Sequence, residues 1–304
     1  MSTLLKLGSL LLFGCFCLLA QAQQTTPTDF NLTLVGHLPY TEDLNDVWGY
    51  VDQTGIEYAL VGGTTGVSIV SLADPTQPTE VLFINDVVTT HRDLKTWGDH
   101  AYVTAERGTG LLVIDLSPLP TGTPTYHLSN PMIDLPSGSS PNNTAHNLYI
   151  DEKGYCYLAG AAQNNGGVII LDMHTDPDTP VYVGACQPIY AHDAYARGDT
   201  LWTSDMSAGQ FSVYDVSDRT NPQQLATQQT PWRFTHNAWL SDDGQTLFAA
   251  DEKPDAYLVA YDVSDLSNIR ELERYKTPTP NVSPHNTNTF NDYQILSYYK
   301  EGLN

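Results

Sequence analysis

Five stretches of the chain begin with histidine and repeat one pattern: His91-Arg-Asp-Leu, His146-Asn-Leu-Tyr, His192-Asp-Ala-Tyr, His236-Asn-Ala-Trp and His285-Asn-Thr-Asn. Successive histidines are 55, 46, 44 and 49 residues apart, and Asn45-Asp-Val-Trp is a sixth copy with Asn in place of His. Five of the nine histidines therefore occupy one repeat position. Internal periods of about 40–50 residues indicate a solenoid, a propeller or another repeat architecture.

The third repeat shows what fills each unit. His146-Asn-Leu-Tyr-Ile, Tyr155-Cys-Tyr-Leu-Ala, Val168-Ile-Ile-Leu and Val181-Tyr-Val-Gly are four short β-branched or aromatic runs, separated by Gly, Pro, Asn and Asp. Such runs between turn residues predict four antiparallel strands. An Asp closes the third run of most repeats, as in Leu112-Val-Ile-Asp, where its carboxylate can accept backbone N–H groups of a turn.

A single four-stranded sheet cannot bury both faces, so the units must stack. We predict an all-β fold, a β-propeller of four-stranded blades, with six or more blades and repeats starting near residues 45, 91, 146, 192, 236 and 285. A stack of β-sandwiches is the alternative. The last repeat stops before a third strand, so we predict that its blade is truncated, and that Asn31–His37 is an unattached outermost strand. The segment Pro118–Pro141 is predicted to be an extended loop.

Residues 1–22 have the pattern of a secretory signal peptide, with Lys6, the apolar run Leu10–Leu19 and the small-residue site Ala20-Gln21-Ala22. Residues 23–304 then form the repeat domain, exported to the medium or the cell surface and without a transmembrane segment in the mature chain. An oxidising compartment permits a disulfide between Cys156 and Cys186. The sequence leaves that bond open.

The formal net charge is −22. Because phosphate contacts require basic patches, we expect no binding to nucleic acid. The excess of acidic residues has two interpretations: it keeps the protein soluble, or it attracts cations.

The third-strand segments, above all Leu112-Val-Ile-Asp, resemble the LVIVD repeat. Trp48-Gly-Tyr, His91-Arg-Asp, Ala145-His-Asn, Ala191-His-Asp and Pro284-His-Asn together resemble the choice-of-anchor B proteins, over roughly Asn31 to Asn304. That resemblance implies an exported bacterial β-propeller. It implies no defined chemistry.

In a propeller the first strand of each blade lines the central channel, so the histidines should surround one channel mouth. The loops between second and third strands should bring Glu106, Asp205, Asp251 and Glu252 to the same face, with Asn45 completing the circle. Neutral imidazoles backed by carboxylates suit a divalent transition metal. The predicted metal ligands are His91, His146, His192, His236 and His285, and the predicted ligand-binding residues are Asn45, Glu106, Asp205, Asp251 and Glu252.

A residue that recurs once per blade is also a common blade-building device, which would hydrogen-bond within its own blade. Two functions therefore stay open. One is an exported module that binds a cell-surface protein or glycan through its channel-mouth face. The other is a metal-dependent hydrolase or oxidoreductase that uses the histidines; no catalytic residue can be assigned from the sequence.

Overall fold

The computed structural model describes residues 33–108, 110–130, 144–291 and 293–303. Gly36–Asn304 form one compact unit, and Met1–Val35 form a separate one of which only residues 33–35 are described. The predicted signal peptide lies outside the described residues. Among the described residues, no helix has both the length and the apolar character needed to cross a membrane.

Six antiparallel sheets follow one another along the chain. The first contains β1 (Leu44–Val51), β2 (Glu57–Gly63), β3 (Gly66–Ser71) and β4 (Thr79–Asn85). The second contains β5 (Leu94–Trp97), β6 (His100–Val103), β7 (Leu111–Asp115) and β8 (Thr125–Ser129). The third contains β9 (Asn147–Ile150), β10 (Tyr155–Ala159), β11 (Ile169–Asp172) and β12 (Val181–Ala185).

The remaining sheets complete the repeat series. The fourth contains β13 (Asp193–Arg197), β14 (Thr200–Asp205), β15 (Gln210–Asp215) and β16 (Gln223–Gln229). The fifth contains β17 (Thr235–Leu240), β18 (Thr246–Asp251), β19 (Leu258–Asp262) and β20 (Arg270–Tyr275). The sixth contains β21 (Pro284–Phe290), β22 (Tyr293–Tyr298) and β23 (Gly302–Leu303). A short 3₁₀ helix, Ala162–Asn164, precedes β11.

This is a β-propeller, as predicted, with its sheets as blades. The first strands of successive blades contact one another, β1 with β5, β5 with β9, β9 with β13, β13 with β17 and β17 with β21, so they line the centre. Five blades have four strands in sequence order and the sixth has three, which confirms the predicted shortfall in the last blade.

Three details differ from the sequence predictions. The sixth blade has a two-residue third strand, β23, where none was predicted. Thr125–Ser129 form the outer strand β8, so the predicted loop Pro118–Pro141 is wrong over that stretch. Residues 33–37, the described part of the predicted outermost strand, contain no strand. In β8 four of the five residues are exposed, so the alternation that usually marks a strand is lost.

The hydrophobic core lies between blades. Leu60 and Ile69 of the first blade pack with Leu94 and Ile114 of the second in one buried cluster, and similar clusters join each later pair of neighbouring blades through the sixth. The second to fifth sheets thus bury both of their faces, which explains their nearly continuous apolar third strands. The predicted turn role of the terminal Asp is also confirmed, since Asp115 Oδ1 accepts the backbone N–H of Ser117.

Candidate metal centre at the channel mouth

The five repeated histidines, here called the histidine ring, stand where the innermost strands begin. His146 and His192 come one residue before β9 and β13, and His236 and His285 are the second residues of β17 and β21. His91 lies three residues before β5 because Arg92 and Asp93 intervene. Backbone bonds to the second strand of the same blade fix these positions, as from His146 N to the Ala159 carbonyl at 3.0 Å.

The imidazoles form a continuous row around the mouth. The ring centroids are 5.1 Å apart between His91 and His146, 4.1 Å between His146 and His192, 4.0 Å between His192 and His236, and 4.2 Å between His236 and His285. Asn45 lines the same cavity, whose volume is about 280 Å³. The prediction that the repeat position surrounds one channel mouth agrees with this arrangement.

Two of the predicted loop carboxylates reach the ring. Glu106, between β6 and β7, accepts hydrogen bonds from His91 Nδ1 at 2.7 Å and from His146 Nδ1 at 2.6 Å. Glu252, after β18, lies with Oε2 3.6 Å from His236 Nε2. These contacts create two groups of three potential metal-ligating side chains, within each of which the ligand atoms lie within 4.8 Å of one another; they are His91, Glu106 and His146, and His192, His236 and Glu252.

Burial keeps the far side of the ring neutral. Burial, together with the neighbouring imidazoles, lowers the pKa of His192 to about 3 and that of His285 to about 4. The same causes hold the pKa of His236 well below its usual value. The hydrogen bond from His146, reinforced by that from His91, lowers the pKa of Glu106 to about 2. At neutral pH these groups are therefore deprotonated, which is the form that binds metal ions.

The other two predicted carboxylates lie inside blades. Asp205 accepts hydrogen bonds from Thr203 and Ser212, and Asp251 accepts them from Thr230 and from two backbone N–H groups of the preceding loop. Both are almost fully buried, and neither lines the mouth cavity. Their bonds stabilise the fourth and fifth blades.

One contact residue was not predicted. The Tyr299 hydroxyl donates to Glu252 Oε1 at 2.8 Å, and the Tyr299 ring meets the His285 ring edge-on at 4.9 Å. Tyr299 follows β22 and belongs to no repeat motif, so no sequence signal marked it. Its hydrogen bond orients the Glu252 carboxylate.

A second level of the channel, here called the Asx layer, is formed by an Asp or Asn that comes one position after the ring residue, or two positions after it in the second blade: Asp46, Asp93, Asn147, Asp193, Asn237 and Asn286. Several of them join one blade to the next. Asp93 Oδ2 accepts the backbone N–H of Leu148 at 2.8 Å, and Asn237 Oδ1 accepts that of Thr287 at 2.8 Å. The Asx layer thus joins blades through bonds that involve no histidine side chain.

The histidine side chains bond differently. His192 Nδ1 lies 3.2 Å from the His236 carbonyl in the next blade, and His91 and His146 bond to Glu106. His236 is 3 % exposed, and its Nδ1 has no partner at hydrogen-bond geometry among the described residues. Within the described part of the chain, no ring imidazole bonds to the Asx of its own blade.

The channel narrows below the Asx layer. Lys95 Nζ lies 2.7 Å from Asp93 Oδ1 and 3.7 Å from Asp46 Oδ2. The rings of Tyr149 and Trp239, from the third and fifth blades, meet at 5.7 Å. The mouth cavity is therefore a cup with a charged floor rather than an open pore.

Comparison with known proteins supports the repeat and the fold. The LVIVD repeat profile matches residues 90–121 and 247–277, which contain β5–β7 and most of β18–β20. No curated protein matches the chain.

Many solved structures are similar in fold. A candidate 6-phosphogluconolactonase from Bacteroides uniformis has a TM-score of 0.61 and 14 % identity, covering 82 % of this chain and 76 % of that one. The Cps50 (Swd1) β-propeller domain of Myceliophteria thermophila has a TM-score of 0.60 and 8 % identity, covering 86 % and 81 %. A Lactobacillus plantarum protein has a TM-score of 0.59 and 16 % identity, covering 77 % and 71 %. At these identities the likeness establishes the fold alone.

Proposed function

We propose that this LVIVD-repeat propeller is an exported binding module whose channel mouth binds a divalent transition metal ion through the histidine ring. The observation that carries the proposal is the row of imidazoles at 4.0–5.1 Å ring spacing, of which His192, His236 and His285 are neutral at pH 7. The hydrogen bonds of His91, His146 and His192 use their Nδ1 atoms, which leaves Nε2 as the nitrogen that a metal ion would take. A metal ion would supply the missing partner.

The hydrogen bonding supports this function over a purely structural role. The Asx layer joins blades at Asp93–Leu148 and Asn237–Thr287, and these joints involve no histidine side chain. Asn45 occupies the ring position in the first blade, whose sheet is complete. The fold therefore accepts Asn where the other blades have His.

The donor set indicates the class of metal. Imidazole nitrogen with carboxylate oxygen suits Zn²⁺, Cu²⁺, Ni²⁺ or Fe²⁺ rather than Ca²⁺ or Mg²⁺, which prefer oxygen ligands alone. Glu106 fits either as a ligand or as the acceptor that holds His91 and His146 in the Nδ1–H tautomer, with each Nε2 free for the metal. The net charge of −22 favours the approach of cations.

The test is metal content in matched variants of the full chain. Wild-type protein stripped with EDTA, loaded with Zn²⁺ and freed of excess by gel filtration should retain at least one equivalent by elemental analysis. The double variant His146→Asn/His236→Asn should retain none and should keep its β-sheet circular dichroism, because Asn45 shows that the position tolerates Asn. His174→Asn, a change at an exposed histidine outside the ring, is the control and should bind as wild type.

Two results would contradict the proposal. Wild type could retain no Zn²⁺, Cu²⁺, Ni²⁺ or Fe²⁺ after loading with each in turn, or the double variant could bind as much as wild type. A variant that melts far below wild type, with a wild type that holds no metal, would assign the histidines to blade building. Export is supported by the pattern of residues 1–22 and is tested by N-terminal sequencing of the protein recovered outside the cytoplasm of a bacterial host.

A metal-dependent enzyme is the second candidate, and one observation favours it. A metal held by two imidazoles and one carboxylate keeps a fourth position open, and the cup of about 280 Å³ lies next to the ring. There the ion would supply Lewis-acid activation, while the ring residues would hold and orient it. Hydrolysis of ester and phosphoester substrates by metal-loaded wild type, absent in His146→Asn/His236→Asn, would establish this activity.

A further inference from the structure

We propose that the histidine ring holds two metal ions in separate subsites. This inference rests on the proposed function, that the ring binds metal. The first subsite consists of His91, His146 and Glu106, and the second consists of His192, His236 and Glu252.

Each subsite has the dimensions of one coordination shell after small side-chain movements. The ligand atoms of each lie within 4.8 Å of one another. Zn–N distances of about 2.0–2.1 Å place neighbouring ligands of a tetrahedral shell about 3.4 Å apart. The ligand atoms must therefore approach by up to about an ångström and a half, which side-chain rotation can supply.

The ring does not form a single set of converging ligand atoms. Among the described residues, the ligand atoms that lie within 4.8 Å of one another fall into two groups, and neither group contains more than two of the histidines. The carboxylates divide in the same way, because Glu106 contacts only the first two histidines of the row and Glu252 contacts the fourth. Each ion would receive its own carboxylate, and the two subsites share no side chain.

The subsites differ in exposure, so their affinities should differ. In the first, the side chains of His91 and Glu106 are 55 % and 39 % exposed. In the second, those of His236 and Glu252 are 4 % and 24 % exposed. Binding at the first subsite must break or rearrange two short hydrogen bonds to Glu106, whereas His236 Nε2 and Glu252 Oε2 in the second lie 3.6 Å apart, beyond hydrogen-bond distance. We expect the second subsite to bind more tightly.

Tyr299 belongs to the second subsite as a positioning residue. Its hydroxyl holds Glu252 Oε1 at 2.8 Å and does not contact the histidine nitrogens of the row. Loss of an oriented outer hydrogen bond typically weakens a metal site by about 10–100-fold. Tyr299→Phe should therefore weaken the tighter binding phase and leave the weaker one unchanged.

The experiment is a Co²⁺ titration of metal-free full-length protein, followed by visible absorption and checked by elemental analysis. Wild type should bind two equivalents in two phases. Glu106→Gln should remove only the weaker phase, Glu252→Gln only the tighter one, and the double variant both. Glu271→Gln, at an exposed glutamate on β20, is the matched control and should retain two equivalents.

The outcomes separate this inference from the proposed function. One equivalent in wild type, reduced by either Glu→Gln change, would mean a single shared site and would overturn the inference while the proposed function stands. No binding in wild type would remove both. Where a glutamate variant loses its circular dichroism signal, His91→Asn at the exposed end of the row and Tyr299→Phe test the two phases in its place.

Discussion

The buried pair of Lys95 and Asp93 below the histidine ring supports a quantitative prediction. Lys95 Nζ lies 2.7 Å from Asp93 Oδ1, and the two side chains are 11 % and 9 % exposed. Burial acts to lower the pKa of Lys95, but the charges of Asp93 and Asp46 and the hydrogen bond to Asp93 together outweigh burial and raise that pKa. Burial, with the adjacent charge of Asp93, raises the pKa of Asp46 well above its usual value. The channel floor is thus a desolvated site with one cation for three carboxylates, counting Asp193.

Lys95→Met should destabilise the protein strongly because it leaves the Asp93 carboxylate buried without its cation. Breaking one partner of a buried ion pair costs about 3–5 kcal/mol. At roughly 2–4 °C per kcal/mol for a domain of this size, Tm should fall by about 6–20 °C. Asp93→Asn should cost less, because Asp46 remains 3.7 Å from the Lys95 ammonium. The double variant should be more stable than the sum of the single losses predicts, with a coupling energy of about 2 kcal/mol.

Urea unfolding of the four proteins in EDTA, with m-values compared, measures this cycle. Glu271→Gln, which breaks an exposed pair with Arg274, is the control and should cost at most about 1 kcal/mol. If Lys95→Met costs no more than Glu271→Gln and the losses simply add, then water rather than Lys95 compensates the charge of Asp93. The description of the channel floor as desolvated would then be wrong.

Three further predictions concern the rest of the channel and the core. Burial raises the pKa of Asp193 to about 6, so the folded state holds the proton of this carboxyl more tightly than the unfolded state does. In metal-free protein, the free energy of unfolding relative to Asp193→Asn should therefore fall by about 2–3 kcal/mol as pH rises from about 4 to 6 and then level off. Urea unfolding at each pH measures this difference. Asn237→Ala removes the partner of the Thr287 N–H and of the Asp193 carboxylate, so it should lower the free energy of unfolding in urea by about 2–4 kcal/mol. A ring His→Asn change should cost less. An equal cost would contradict the role of the Asx layer in joining blades. Cys156 and Cys186 are buried free thiols whose pKa values burial raises, so a thiol reagent should label neither in the native protein and both in urea; labelling of one native thiol would show that its core opens.

The sequence could not decide whether the two cysteines are bonded. Cys156 belongs to the hydrophobic cluster between the second and third blades, and Cys186 to the cluster between the third and fourth. They therefore lie on opposite faces of one sheet. Which face a side chain enters depends on strand register, and the register near Cys186 shifts at the irregularity between Ile170 and Leu171.

The repeat position in the sequence was enough to predict the histidine ring. The positions of acidic residues in loops predicted only some of the carboxylates that contact it. Glu106 and Glu252 reach the imidazoles, whereas Asp205 and Asp251 turn into their own blades. All four lie at or next to the end of a second strand, or in the loop that follows it. A residue's place in a loop does not fix the direction of its side chain, because that direction follows from local hydrogen bonds to Ser, Thr and backbone groups.

By itself the sequence determined the blade period, the all-β class and the placement of one histidine at the channel in every blade but the first. These features follow from the spacing of the repeats. Each blade must bury its sheet against the next blade, so equivalent residues of the inner strands recur at equivalent positions around the channel. Only the tertiary structure decided that the Asx layer joins the blades, that Tyr299 orients Glu252, and that the carboxylates divide the ring in two. Such contacts join residues 40 or more positions apart, as in the pairs Glu106–His146 and Glu252–Tyr299, and no local pattern records them.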